Sequence, residues 1–165
     1  MAFRLVSSGP VKNCEVALTP SKSVSNRALI IRALCKDQFG IENLSTSSDT
    51  EVLMNALNSE SSELNVNDAG TAFRFLVAYL SIQSGTFVLT GSQRMKQRPV
   101  GPLVEALRTL GAEIEYSGTT GFPPLKISGR QLEGGIISLD SNLSSQFVSS
   151  LLMIGPVLKN GLTLN

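Results

Sequence analysis

The chain has 165 residues, 42% of them hydrophobic, and its 14 lysines and arginines nearly balance 13 aspartates and glutamates for a net charge of +1. That length suits one domain or part of one, and the near-neutral charge gives no basis for nucleic acid or an acidic membrane surface as a partner. Histidine is absent, which excludes Ser-His-Asp, Cys-His and imidazole-based metal chemistry, and Cys14 and Cys35 form no CxxC pair or ligand cluster, so no metal or cofactor is expected.

Strands are predicted over 3–7 and 15–18, followed by a helix over 22–35. Thr19 or Ser21 can cap that helix, Pro20 suits its first position, and Ala28, Leu29, Ile31 and Leu34 supply a buried face. Cys35 falls on the same face and is expected to be a buried, inert thiol; Cys14 is given no role. The start of this helix is suited to hold an anion, the alternative being an ordinary capped helix with solvated charges. Unpaired backbone N–H groups add partial positive charge to Lys22, and Ser23 and Arg27, four apart, share one side.

Next come a strand over 40–44, a helix over 49–57, a strand over 64–66 and a helix over 71–81, the last fed by the small polar loop Asp68-Ala69-Gly70-Thr71. A strand over 86–90 leads into a segment with Arg94, Lys96 and Arg98 at alternate positions, which predicts three cations on one side and suits either a solvated edge strand or a phosphate or carboxylate partner. A helix over 99–110 is stopped by Gly111, strands follow over 113–116 and 125–127, and a strand over 135–139 precedes a helix over 144–154 introduced by Ser141-Asn142-Leu143-Ser144. The order is a repeated unit of strand, helix, strand, helix and one or two strands, and its third copy is incomplete, so a piece of a longer protein is expected. No apolar run approaches the roughly 20 residues that span a bilayer and no export signal is evident, so the expected setting is cytoplasmic.

Four motifs in order carry a specific resemblance: Ser21-Lys22-Ser23-Val24-Ser25-Asn26-Arg27-Ala28, the Ala69-Gly70-Thr71-Ala72 run with Arg74, the Leu89-Thr90-Gly91 run with Arg94, Met95, Arg98 and Pro99, and Ser144-Ser145-Gln146. The chain resembles the 5-enolpyruvylshikimate-3-phosphate synthases over essentially its whole length. The resemblance implies an α/β (α+β) fold of the enolpyruvyl transferase type, an inside-out α/β barrel domain of βαβαββ units, here truncated. It implies that residues 1–14 are a strand region packing with a second domain and that 15–165 are a substrate-binding N-terminal domain. The whole enzyme would be roughly two to three times this length and monomeric.

The implied reaction moves the enolpyruvyl group of phosphoenolpyruvate to the 5-hydroxyl of shikimate-3-phosphate, releasing phosphate, on the route to chorismate and the aromatic amino acids. By the same resemblance Lys22 is the catalytic residue and lies between the substrates. Lys22, Ser23, Arg27, Ser144, Ser145 and Gln146 would bind shikimate-3-phosphate, and Lys22, Gly70, Arg98 and Gln146 would bind phosphoenolpyruvate. Asp68, Thr71, Arg74 and Arg94 would surround the site. Two positions depart from the family pattern, Asp68 where asparagine is frequent and Phe75 where proline often follows the motif arginine, and the Asp68 carboxylate is expected to need a partner such as Arg74 or Lys96. The family's acid/base carboxylates belong to the second domain, so this chain alone is expected to be inactive. The alternatives are a UDP-N-acetylglucosamine enolpyruvyl transferase, against which Ser23 after Lys22 and the absence of cysteine beyond Cys35 argue, and a non-catalytic anion-binding repeat module.

Overall fold

A computed structural model describes residues 17–35, 39–139 and 144–165, together with Arg4, Val6, Gly9, Asn13 and Glu15. Of the strand expected over 3–7 only Arg4 and Val6 are described, and of that expected over 15–18 only Glu15, Ala17 and Leu18, none of them in regular structure; Cys14, most of the proposed 1–14 region and the 141–143 loop lie outside the described residues. Helix α1 (Lys22–Leu34) and α2 (Ser48–Leu57) are followed by β1 (Glu63–Asn65), α3 (Gly70–Ser81), β2 (Gly85–Thr90), α4 (Gly101–Thr109), β3 (Glu113–Tyr116) and β4 (Leu125–Gly129). The chain then runs through β5 (Gly135–Ile137), α5 (Ser145–Ile154) and β6 (Leu162–Leu164).

From β1 to β4 the order is βαβαββ, one complete copy of the predicted unit, and its strands form a sheet in the order β1-β2-β4-β3. β1 and β2 run parallel and are joined by the crossover helix α3, while β4 runs antiparallel to both β2 and β3. A second, two-stranded parallel sheet of β5 and β6 flanks α5 and repeats the start of that unit.

Helix α3 explains the arrangement. Its sequence is apolar around nearly the whole circumference, and ten of its twelve residues are buried, as a helix enclosed on all sides requires. It packs against α1, α2, α4 and most extensively α5, and the sheet covers it through β2 and β4. Phe73, Phe75 and Leu76 from α3 meet Leu29 and Ile30 of α1, Leu103 and Leu107 of α4, Leu89 and Leu125 of the sheet, and Leu151 and Ile154 of α5 in one core.

Four local expectations are corrected. The segment 40–44 is not a strand: residues 39–47 hold no regular structure, Asn43 sits in the left-handed region at φ 58°, and no strand among the described residues adjoins it, although Ile41 and Leu44 still pack on the core. In α1 the cap is Ser21, leaving Pro20 outside the helix, and the buried residues are Ser25, Asn26, Leu29 and Ile30; Ile31 is exposed because contact with α2, α3 and α5 draws the neighbouring stripe inward. Cys35 caps the end of α1 and is exposed. Helix α4 begins two residues later than predicted, with Pro102 in its first turn, because the N–H groups of Val100 and Gly101 turn to the Gly121 carbonyl at 2.9 and 3.2 Å. Its end follows the sequence: Gly111, at φ 99°, donates to the Arg108 carbonyl at 2.9 Å and Ala112 to that of Leu107 at 3.0 Å.

Gly129 ends β4 against the turn that leaves α3, where a Cβ would run into the carbonyl oxygens of Leu80 and Gln83. Because both obstacles are backbone, Gly129→Ala is expected to cost about 3 kcal/mol, read as a lowered urea midpoint with an unchanged slope. A midpoint equal to the parent's would refute this account of the α3–β4 contact.

Candidate functional site

The starts of α1, α3 and α5 meet through side chains. At α1, Ser21 Oγ accepts the Val24 N–H at 3.4 Å, and Lys22, in the first turn, places its Nζ 3.1 Å from Oδ1 of Asp49. Asp49 stands in the first turn of α2, so one carboxylate serves both that helix dipole and the lysine. The seating of α2 is buried: Thr50 Oγ1 donates to Asn26 Oδ1 at 2.8 Å and lies 3.0 Å from Ser47 Oγ. Asn26 Nδ2 has no partner among the described residues.

One turn into α1, Arg27 folds back on its own helix and also reaches α5. Its Nη1 donates to the Ser23 carbonyl at 2.9 Å and to Ser23 Oγ, and its Nη2 donates to Ser149 Oγ at 2.9 Å. The guanidinium carbon lies 5.6 Å from the ring centre of Phe75 on α3.

The start of α3 is built on Gly70. Nη1 of Arg74 donates to the Gly70 carbonyl at 3.0 Å and to Gln146 Oε1 on α5 at 3.0 Å, and Gln146 Nε2 donates to Thr71 Oγ1 at 3.1 Å. Arg74 also lies over Phe147, 5.3 Å from the ring centre. A Cβ on Gly70 would collide with Nη1 of Arg98 and stand 2.9 Å from Nη1 of Arg74, so only glycine lets both guanidinium groups close on the start of this helix. Burial, and secondarily the charge of Arg98, push the Arg74 guanidinium below its usual pKa. Two adjacent guanidinium groups, one half-buried, make a place where an anion relieves repulsion.

Arg98 donates to the Asp68 carbonyl at 3.3 Å. The Asp68 carboxylate accepts from Ser92 Oγ and is paired with neither Arg74 nor Lys96, contrary to expectation. Nor do Arg94, Lys96 and Arg98 line one side of an extended segment. A 3-10 turn over Met95–Gln97 breaks the alternation, Arg94 is exposed and its side chain makes no hydrogen bond or ion pair among the described residues, and Arg98 alone turns to Gly70. Ser144 caps α5 by accepting the Gln146 N–H at 3.3 Å, and Ser145 is exposed in the first turn.

Of the residues proposed from sequence, Ser23 with Arg27, and Gly70, Thr71, Arg74, Arg98 and Gln146, are joined directly, and Asp68 through its carbonyl. Lys22, Ser144 and Ser145 stand at the same helix starts, and Arg94 is not drawn in. Sequence reasoning missed Asp49, Ser149, Phe75 as a platform for Arg27, and Ser92. Asp49 was detectable as an acid in a first helical turn, whereas Ser149 has no signal until α5 is seen against α1.

A sequence profile described as EPSP synthase (3-phosphoshikimate 1-carboxyvinyltransferase) matches residues 8–60 and 58–165. A 3-phosphoshikimate 1-carboxyvinyltransferase of Bacteroides fragilis strain YCH46 is 52% identical over 164 residues, covering 99% of this chain and 40% of that protein. One from Sulfurovum sp. strain NBC37-1 is 42% identical, covering 92% and 42%. Among solved structures, EPSP synthase from Acinetobacter baumannii superposes with a TM-score of 0.75 at 26% identity, covering 84% of this chain and 37% of that one. The chain therefore spans about 40% of the length of the curated relatives it matches.

The buried Thr50–Asn26 bond and the exposed Lys22–Asp49 pair predict opposite sensitivities. Thr50→Val, which strands a buried acceptor, is expected to lower unfolding free energy by about 1–3 kcal/mol, and Asp49→Ala by less than about 1 kcal/mol, both from urea titration. A larger loss for Asp49→Ala would mean that the ion pair, not the buried bond, seats α2.

Proposed function

This chain belongs to the EPSP synthase (3-phosphoshikimate 1-carboxyvinyltransferase) family, and we propose that its helix starts form one wall of a cleft in which an enolpyruvyl group passes from phosphoenolpyruvate to the 5-hydroxyl of shikimate-3-phosphate. The observation that carries the reading is the linkage of α1, α3 and α5 through Arg27, Arg74 and Gln146, with Arg98 packed on Gly70. Both substrates bear a phosphate and a carboxylate, and guanidinium forks with free helix N–H groups are the donors suited to them.

In this reading Lys22 is the catalytic residue, holding phosphoenolpyruvate and stabilising charge as the hydroxyl attacks. Its ammonium is about half exposed and tied to a single carboxylate, which leaves it two further donors. Ser23, Arg27, Ser144, Ser145 and Gln146 take shikimate-3-phosphate, with Arg27 on its carboxylate. Gly70, Arg98 and Gln146 take phosphoenolpyruvate, and Asp68, Thr71 and Arg74 hold those groups in place. Residues 15–165 serve as the substrate-binding domain and residues 1–14 pack on a second one. The remaining length of the protein supplies the acid/base groups, and the enzyme works in the cytoplasm as a monomer. No described helix is long and apolar enough to cross a membrane.

Calorimetric titration of the purified chain with shikimate-3-phosphate is expected to give saturable heat that Arg27→Ala removes, without release of phosphate when phosphoenolpyruvate is added. A folded chain that responded instead to a UDP-amino sugar would overturn the reading. With shikimate-3-phosphate saturating, Gly70→Ala is expected to weaken phosphoenolpyruvate binding about tenfold while stability changes by less than about 1 kcal/mol, because the obstructing atoms are ends of flexible side chains. Unaltered affinity would remove Gly70 from the phosphoenolpyruvate subsite.

A further inference from the structure

We propose that Ser149 is a positioning residue, whose hydroxyl, together with the ring of Phe75, fixes the Arg27 guanidinium in the orientation that receives a substrate carboxylate. This rests on the reading of Arg27 given above.

Arg27 projects from α1, and its contacts to Ser23 lie within its own helix. Such contacts hold the guanidinium near the helix without fixing where its plane faces. Two contacts come from elsewhere: the 2.9 Å bond to Ser149 Oγ on α5 and the Phe75 ring, fully buried in α3, 5.6 Å beneath the guanidinium carbon. The ring sets the plane and the hydroxyl sets rotation within it. Of the five N–H donors, Nη1 spends two on Ser23 and Nη2 spends one on Ser149, leaving one on Nε and one on Nη2 for a ligand. A carboxylate takes two such donors in a bidentate pair.

The same face of α5 serves Arg74. Gln146, one turn before Ser149, accepts from that arginine, and Phe75 follows Arg74 directly in α3. One helix face thus orients both arginines, each against an aromatic ring.

Two measurements on Ser149→Ala and Ser149→Thr test this. The first is the 15Nε order parameter of Arg27 by NMR relaxation, which needs no ligand. It is expected to fall in Ser149→Ala and return in Ser149→Thr, which keeps the hydroxyl, while that of Arg74 stays unchanged. The second is affinity for shikimate-3-phosphate, expected to weaken about tenfold in Ser149→Ala, recover in Ser149→Thr, and leave phosphoenolpyruvate affinity unmoved. An Arg27 as ordered in Ser149→Ala as in the parent overturns the proposal. An Arg27→Ala variant that binds shikimate-3-phosphate like the parent overturns the substrate reading alone, since the order parameter still judges whether Ser149 holds Arg27.

Discussion

Burial of α3 is the constraint on which the rest depends. A helix with ten of twelve residues inside the protein must be surrounded, and α1 and α5 take two of the surrounding positions. Their cross-links lie near their N-terminal ends: Gln146, second in α5, meets Thr71, second in α3, and Arg27, in the second turn of α1, meets Ser149 in the second turn of α5. The apolar packing that stabilises the domain therefore also gathers the unpaired N–H groups and arginines. Fold and site share one cause.

Gathering cations costs free energy, and the structure offsets it locally with neutral acceptors. Arg27 is held by Ser23 and Ser149, Arg74 by the Gly70 carbonyl and Gln146, and Arg98 by the Asp68 carbonyl. These acceptors orient the guanidinium groups without cancelling their charge, so the site remains attractive to an anion. Lys22 differs in having a carboxylate partner. That pair is exposed and therefore weak, so an incoming anion can compete for the ammonium.

The sequence makes the repeat legible because each copy restates the same periodicity, and the complete unit from β1 to β4 follows it closely. Gly70 and Arg74 are legible too, since a glycine at a helix start followed four residues on by arginine has a local meaning. What fails has a non-local cause. The phase of α1 depends on which neighbours press on it, so Ile30 is buried where Ile31 was expected. The strand expected over 40–44 carries the right residues, but a strand exists only through a partner, and Asn43 turns the chain aside. The alternating cations from Arg94 to Arg98 look like one face of a strand until a 3-10 turn separates them. Ser149 and Phe75 carry no sign of contact with Arg27 because that contact is made by three separate helices.

Asp68 shows how an apparently unfavourable residue fits this scheme. A carboxylate near a phosphate-binding surface repels its ligand, by about 1 kcal/mol for two unit charges 4 Å apart in water and by more where water is excluded. Here the carboxylate points to Ser92, whose hydroxyl oxygen also receives the Met95 N–H at 3.2 Å, at the start of the turn that leads to Arg98. The Asp68 backbone carbonyl meanwhile accepts from Arg98 itself. One residue thus fixes both ends of the loop that carries the arginine: its side chain anchors the turn and its main chain aims the guanidinium. The negative charge is directed at the loop, and its repulsion of a ligand is set against the order it gives to Arg98. The frequent asparagine of the family could accept the same hydroxyl through its amide oxygen, so the departure at this position changes the charge of the anchor while leaving its geometry available.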